Sequence, residues 1–304
     1  MTRLLDTEAT RARLPMGALV DALRAMFATG CEVPLRHVHA LGTVGTSLLM
    51  PAWQEGGLYG VKVVNVFPAN GARGLPAVNA SYTLFDATTG AVLAVMDGSE
   101  ITTRRTAVAS ALAASFLARE DARRLLVVGA GRVASLLPEA MKTVRPGLDE
   151  VLVWNRHLEA AAALAARVGG RVAPDLEAAV RAADIVSCAT LAEAPLVRGA
   201  WLAPGAHLDL IGSFTPSMRE ADGAAFARAR VFVDTEEALA KSGDCLQAMA
   251  EGAFDRAALQ GTLAGLVRGS AAGRRGPAEI TLFKSVGTAL EDLAAAALAW
   301  QAPR

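Results

Sequence analysis

Hydrophobic and polar positions change pattern abruptly near the middle of the chain. Four branched apolar residues at 125–128 run directly into Gly129, Gly131 and Ala134. This pattern predicts a buried strand that turns sharply into a helix. In a dinucleotide-binding turn the first glycine makes the tight turn, the second lets the backbone approach a pyrophosphate, and a small third residue lets helix and strand pack closely. An ordinary glycine-rich loop between a strand and a helix is the alternative.

Beyond this turn, strand-like and helix-like patterns alternate. The predicted strands lie at 125–129, 151–155, 171–174, 184–190, 207–214 and 231–235. Alternation of this kind predicts an α/β fold with a Rossmann-type doubly wound parallel sheet. Pro138 lies within the helix after the glycine turn, so we expect a kink there or a later helix start, because proline cannot donate a helical hydrogen bond.

The first third of the chain has a different pattern. Helical spacing of apolar residues predicts an amphipathic helix over 15–28, and a second, alanine-rich helix is predicted over 101–120. The strand-like runs between them, separated by Gly, Pro and Asp, lie at 33–41, 47–53, 58–67 and 81–98. We therefore predict an α+β domain over 1–120, a nucleotide-binding domain over 121–278, and a C-terminal helix over about 279–304 that rejoins the first domain.

Composition and charge narrow the class of partner. Lys and Arg number 30 and so do Asp and Glu, so no net field attracts nucleic acid or an acidic membrane, and we expect a small-molecule substrate. No run of eighteen residues is uniformly apolar, which predicts no membrane span. Cys31, Cys188 and Cys245 are odd in number and far apart, so we expect no disulfide and no metal site. Without a signal-peptide pattern, a cytoplasmic protein is expected.

The end of the second strand of the nucleotide-binding domain bears on cofactor choice. Folds that select NAD place an acidic residue roughly 20 residues beyond the glycines, where it binds the ribose hydroxyls. This chain has Asn155 and Arg156 there. An amide and a guanidinium can accommodate a 2′-phosphate, so NADP(H) is favoured and NAD(H) remains possible. Alternatively, Arg156 only caps the helix that follows.

Lys62 is the most informative residue of the first domain. Its strand is apolar on both faces, which predicts burial, and a buried lysine needs a charged partner or a chemical role. The alternative is an edge strand whose lysine reaches water and discourages aggregation. Arg36, Arg104 and Arg105 stand among apolar neighbours, where an arginine either binds a substrate carboxylate or lies on the surface.

Over nearly its whole length, the chain resembles a known family, the ornithine cyclodeaminase/mu-crystallin family. The matching stretches are YGVKVVNVFP, LFDATTGAVLAVMDG, ITTRRTAVASALAASFLA, VVGAGRVA, VWNR, LIGSFTPSMRE, VDTEEALAKSGD and FKSVGTALED. The FTPSMRE segment and the overall likeness suggest the ketimine-reductase branch, nearest to bacterial Δ1-pyrroline-2-carboxylate reductases.

The resemblance implies roles for particular residues. It places Lys62, Arg36 and Arg105 around the substrate. Gly129 and Ala134 are already predicted to contact the cofactor from the pattern of the glycine turn. The resemblance implies further cofactor contacts at Arg105, Thr106, Gly131, Val133, Asn155, Arg156, Thr190, Leu191, Ile211 and Ser285. It also implies a homodimer in which a second subunit completes the sheet of the first domain, which serves substrate binding and dimerisation.

Two departures from the family pattern qualify this likeness. Phe214 stands where cyclodeaminases carry an aspartate, and Ala77, followed by Val78, stands where a hydroxyl residue is common. The resemblance therefore implies NAD(P)H-dependent reduction of a cyclic ketimine carboxylate to proline or pipecolate. The alternatives are an ornithine cyclodeaminase, an alanine dehydrogenase, and a non-catalytic protein that binds a small molecule.

Overall fold

The protein is described by a computed structural model that covers residues 2–302. Its contacts divide the chain into two compact units, Met1–Arg105 with Thr288–Arg304, and Thr106–Gly287. The division falls inside one long helix, Gly98–Leu117, whereas the boundary predicted from the sequence, residue 120, was the predicted end of that helix. Among the described residues, no helix has the length and hydropathy that a bilayer span requires.

The first unit is built on one six-stranded sheet. Its elements are β1 (Arg3–Leu5), α1 (Thr7–Ala12), α2 (Met16–Thr29), β2 (His37–Leu41), β3 (Gly45–Trp53), β4 (Leu58–Val66), β5 (Val78–Asp86), β6 (Val92–Asp97) and the start of α3 (Gly98–Leu117). The strand order is β1-β6-β5-β4-β3-β2, antiparallel except that β1 runs parallel to β6.

Helix α3 begins at Gly98 rather than at the predicted 101. The carboxylate of Asp97 accepts hydrogen bonds from the backbone N–H groups of Ser99 and Glu100, at 2.8 and 3.0 Å. An acidic side chain in this position satisfies N–H groups that have no partner within the helix. The helix therefore starts directly after β6.

One face of this sheet forms the core of the first unit. Its buried side chains come from alternate positions of the middle strands, namely Met50, Ala52, Lys62, Tyr82, Leu84, Ala94 and Met96. Strand β4 lies between β3 and β5, so the interpretation of Lys62 as an edge-strand residue is wrong. Lys62 is 1% exposed, as the apolar pattern on both sides of it predicted.

The second unit contains an eight-stranded sheet. After α3 the elements are β7 (Arg124–Val128), α4 (Leu137–Val144), β8 (Glu150–Trp154), α5 (Leu158–Val168), β9 (Arg171–Val172), α6 (Leu176–Ala182), β10 (Ile185–Cys188), β11 (His207–Leu210), α7 (Gly223–Arg228), β12 (Arg230–Val233), α8 (Ala238–Lys241), α9 (Gly243–Ala250), β13 (Gly261–Thr262), α10 (Leu263–Arg268) and β14 (Thr281–Lys284). All strands run parallel in the order β13-β12-β14-β11-β10-β7-β8-β9. The predicted Rossmann-type doubly wound sheet is confirmed.

The C-terminal segment corrects the prediction of one helix over 279–304. Thr281–Lys284 is strand β14, fully buried between β11 and β12, and only Ala289–Gln301 forms a helix, α11. A strand covered on both faces is apolar throughout and cannot be distinguished by periodicity from the start of a buried helix. Helix α11 belongs to the first unit, where it packs against α2 and β4.

Pro138 delays the helix after the glycine turn. Helix α4 begins at Leu137, which places Pro138 in its first turn, where the missing N–H costs no helical hydrogen bond. Of the two predicted effects of this proline, a later start is confirmed.

Candidate functional site

Lys62 in the first unit forms a buried ion pair. Its Nζ atom lies 2.7 Å from Oδ2 of Asp292, and the two side chains are 2% and 0% exposed. Burial lowers the pKa of Lys62 to about 8, against the attraction of Asp292. The ammonium is therefore held in place by a carboxylate yet can lose its proton near neutral pH.

Arg105 binds the same carboxylate from the other side. Its Nε atom donates to Oδ1 of Asp292 at 3.0 Å, and its Nη1 atom donates to Oε2 of Glu291 at 2.6 Å. Burial alone would raise the pKa of Asp292, but the charges of Lys62 and Arg105 outweigh it and lower the pKa of this carboxyl below its ordinary value. Asp292 is thus an ionised bridge between two buried cations.

Both acidic residues occupy the first turn of α11. Thr288 precedes this helix, and its hydroxyl accepts a hydrogen bond from the N–H of Leu290. Acidic side chains are favoured near a helix N-terminus, and alanine fills much of the rest of α11, so the helix can lie close to the sheet. Glu291 and Asp292 were not predicted as site residues, although two acidic residues at the start of an otherwise apolar helix are a usable signal.

The other two arginines lie in different surroundings. Arg36 precedes the edge strand β2 and is half-buried. Arg104 is buried, with Nε 3.6 Å from Glu100, which also accepts two hydrogen bonds from Arg11. Arg104 therefore belongs to a separate ion-pair cluster. Ala77 is exposed, and its carbonyl accepts from the N–H of Phe67.

The glycine turn in the second unit has the backbone that a pyrophosphate requires. Gly129 has a φ of +120°, and a Cβ atom there would lie 2.5 Å from the carbonyl oxygen of Ala189. At Gly131 a Cβ atom would meet no described atom within 4 Å, so this backbone faces open space. Val133 is half-buried, and Ala134 is completely buried against the sheet. These features fit a dinucleotide.

The two residues predicted to select the cofactor follow β8, beside the glycine turn. Oδ1 of Asn155 accepts a hydrogen bond from the N–H of His157 at 2.8 Å. Arg156 is exposed, and its Nε atom lies 3.2 Å from Nε2 of His157. Asn155 is therefore fixed by the backbone, while Arg156 presents its charge to solvent.

The remaining predicted cofactor residues of the second unit follow the ends of other strands, except for half-buried Thr106 in α3. Thr190 and Leu191 come after β10, Ile211 after β11 and Ser285 after β14. Because all these strands are parallel, their carboxyl ends share one edge of the sheet, where ligands bind in doubly wound folds. Leu191 is 76% exposed, whereas Ile211 and Ser285 are buried.

Comparisons with known proteins identify the family. The family model described as ornithine cyclodeaminase/mu-crystallin matches residues 7–302. The chain belongs to this family. A Δ1-pyrroline-2-carboxylate reductase of Paracoccus denitrificans is 43% identical over 92% of this chain and 90% of its own. The resemblance inferred from the motifs is confirmed.

Solved structures agree with the fold. The Δ1-pyrroline-2-carboxylate reductase of Thermococcus litoralis, in complex with NADH and L-proline, has a TM-score of 0.92 and 33% identity over 99% of this chain and 97% of that one. An archaeal alanine dehydrogenase dimer with bound NAD has the same TM-score at 28% identity, over 99% of this chain and 95% of that one. Among residues 2–302, no cluster of three or more metal-ligating side chains occurs.

Asp292→Asn should destabilise the protein strongly. It leaves Lys62 facing a neutral amide and removes one of the two acids that bind Arg105, and breaking a buried ion pair typically costs about 3–5 kcal/mol. Chemical denaturation would measure the loss of unfolding free energy. Glu251→Gln, at the half-exposed partner of Arg219, is the matched control and should cost less than about 1 kcal/mol. Equal losses of unfolding free energy in the two variants would show that Asp292 does not stabilise Lys62 and Arg105 as a buried partner.

Proposed function

We propose that the protein is a nicotinamide-dependent oxidoreductase that reduces Δ1-pyrroline-2-carboxylate to proline and accepts the six-membered Δ1-piperideine-2-carboxylate, giving pipecolate. The observation that carries this proposal is the buried pair of Lys62 and Asp292, with 2.7 Å between Nζ and Oδ2. It provides a proton donor of suitable pKa, and the glycine turn provides a place for the dinucleotide. The similarity to reductases of cyclic imines supports the choice of substrate.

Reduction of a C=N bond needs one hydride at carbon and one proton at nitrogen. The nicotinamide, when bound, supplies the hydride. The backbone at Gly129 and Gly131 would hold the pyrophosphate, and Asn155 and Arg156 would face the adenosine ribose. We assign the proton to Nζ of Lys62, because its pKa of about 8 leaves it largely protonated at pH 7 and still able to release the proton. Asp292 keeps that ammonium oriented.

The substrate carboxylate needs a cation of its own. Arg105 already donates from Nε to Asp292 and from Nη1 to Glu291, so part of its guanidinium is committed to these two acids. We therefore assign the main contact with the carboxylate to Arg36, whose guanidinium geometry suits carboxylates. Arg105 then acts chiefly through Asp292.

The substrate assignment is tested by following oxidation of NADH and NADPH with a panel of substrates. We expect oxidation with the five- and six-membered cyclic imine carboxylates and much less with pyruvate plus ammonia. Ornithine should not be consumed, because exposed Phe214 offers no carboxylate where cyclodeaminases carry one. Alanine formation alone would favour an alanine dehydrogenase, ornithine consumption a cyclodeaminase, and no turnover at all a binding protein.

Replacing Lys62 by Met removes the proposed proton donor at similar length. We expect kcat for imine reduction to fall by roughly two to four orders of magnitude, the usual contribution of general acid–base catalysis, while NADPH affinity is retained. Lys142→Met, at an exposed position of α4, is the control and should leave kcat unchanged. Near-normal kcat in the Lys62 variant would assign the proton to water or another group.

Arg36→Ala should mainly affect substrate binding. If the carboxylate contact has the same strength in the ground state and the transition state, KM for the imine rises strongly while much of kcat is kept. Steady-state kinetics measures both constants, with Arg167→Ala on the exposed face of α5 as control. An unchanged KM would remove Arg36 from the site.

Asn155→Asp should change cofactor preference. We propose that the wild-type chain prefers NADP(H), because Arg156 can pair with a 2′-phosphate. The new carboxylate should repel that phosphate and accept from ribose hydroxyls, which shifts the ratio of kcat/KM values toward NADH. Asn155→Ser adds no charge and should shift the ratio less. An unchanged ratio in the Asp variant would show that this pair does not select the cofactor.

We propose that the protein is a homodimer formed through the first unit. All five residues of edge strand β2 are exposed, and apolar Leu35, Val38 and Val44 nearby are 72%, 60% and 61% exposed. An exposed apolar edge of this kind is normally covered by another chain. Sedimentation should show a dimer at micromolar concentration, and Val38→Glu should weaken it. A monomeric wild type would contradict the proposal.

A further inference from the structure

Glu220 is a buried acid in the second unit that the proposed chemistry does not use. It is completely buried and accepts three hydrogen bonds from two different loops. Oε1 accepts from the N–H and the hydroxyl of Thr190 at 2.7 and 2.8 Å, and Oε2 accepts from the N–H of Gly212 at 2.6 Å. One carboxylate therefore joins the loop after β10 to the loop after β11.

The two loops are packed so closely that Gly212 has no room for a side chain. A Cβ atom there would lie 2.0 Å from the carbonyl oxygen of Thr190 and 2.5 Å from Oε1 of Glu220. The backbone of Glu220 is fixed as well, because its N–H donates to Oδ1 of Asp244 at 2.8 Å. The carboxylate of Glu220 and its backbone are therefore both held in place.

The bridge depends on an ionised carboxylate. The backbone N–H groups of Thr190 and Gly212 face different oxygens and can only donate, so only the ionised form accepts fully at both oxygens. Burial raises the pKa of Glu220 to about 7, opposed by Lys284 of β14 and assisted by Asp244 of α9. Burial and then the charge of Glu220 raise the pKa of the Cys188 thiol in β10. A proton on either oxygen would weaken the contact with the N–H of Thr190 or with the N–H of Gly212.

We propose that Glu220 is a positioning residue for the nicotinamide nucleotide, whose ionised carboxylate fixes Thr190, Leu191 and Ile211 in the form that binds the cofactor. The proposal rests on the proposed function, because those three residues are its predicted cofactor contacts. Thr190 and Gly212 lie next to Leu191 and Ile211 in the chain, so releasing either end of the bridge loosens a cofactor-binding loop. Affinity for the nucleotide thus depends on the charge of a residue that does not itself touch the cofactor.

The test measures binding of NADH, without any imine, from the fluorescence of the bound nicotinamide between pH 6 and 8.5. NADH is the probe because it lacks the 2′-phosphate, which titrates in this range. We expect wild-type affinity to weaken as the pH falls below about 7. Glu220→Gln, nearly isosteric, turns an N–H donor toward the loop donors and should bind NADH about tenfold more weakly, with no dependence on pH. Glu177→Gln, at a half-exposed position of α6, is the control and should behave like the wild type.

Two further variants keep the result decisive. Glu220→Asp retains the charge and should retain a dependence on pH, which a merely space-filling role would not produce. His157→Gln removes the imidazole beside Arg156 and should leave the dependence in place. A flat wild-type profile, or Glu220→Gln with wild-type affinity and lower thermal stability, would overturn the proposal. Because no imine is present, a protein that binds NADH but fails to reduce imines contradicts the proposed function and leaves this test intact.

Discussion

The carboxylate of Asp292, placed between Lys62 and Arg105, is the interaction on which the buried charges of the first unit depend. Both cations are buried, with side-chain exposures of 2% and 7%. Taking such charges out of water is costly unless an opposite charge and well-oriented hydrogen bonds accompany them. Asp292 supplies both from the first turn of α11. The last helix of the chain must therefore return to the sheet of the first unit.

The predicted cofactor residues of the second unit are positioned by a different constraint. A parallel sheet brings the carboxyl ends of its strands to one edge, so residues far apart in sequence collect there. Gly129 follows β7, Asn155 follows β8 and Thr190 follows β10. Buried carboxylates such as Glu220 then fix the loops that carry them.

The elements that sequence could predict are those that local pattern determines. The glycine turn requires glycine at Gly129 for its positive φ, and the alternation of strands and helices follows from periodicity alone. Lys62 was correctly predicted to be buried because its neighbours on both faces of β4 are apolar. Each of these features depends on residues that are close together in the sequence, so each can be recognised from a single sequence.

The features that sequence reasoning missed depend on long-range contacts. Asp292 is separated from Arg105 by 187 positions, and acidic residues in a first helical turn are common for local reasons. Residues 281–284 were assigned to a helix because a short apolar run fits either element. Glu220 lies in an irregular segment, and its role depends on two loops that only the sheet brings together.

We infer that Lys62 is a buried ammonium that loses its proton near neutral pH, and a titration by NMR tests this inference most directly. The chain has four lysines, Lys62, Lys142, Lys241 and Lys284, so ¹³C-labelling at lysine Cε gives few signals, and the spectrum of Lys62→Met assigns the one of interest. Because burial lowers the pKa of Lys62, we expect that signal to titrate at about 8. A signal that titrates at or above the ordinary lysine pKa of about 10.4 would contradict the assignment of Lys62 as the proton donor.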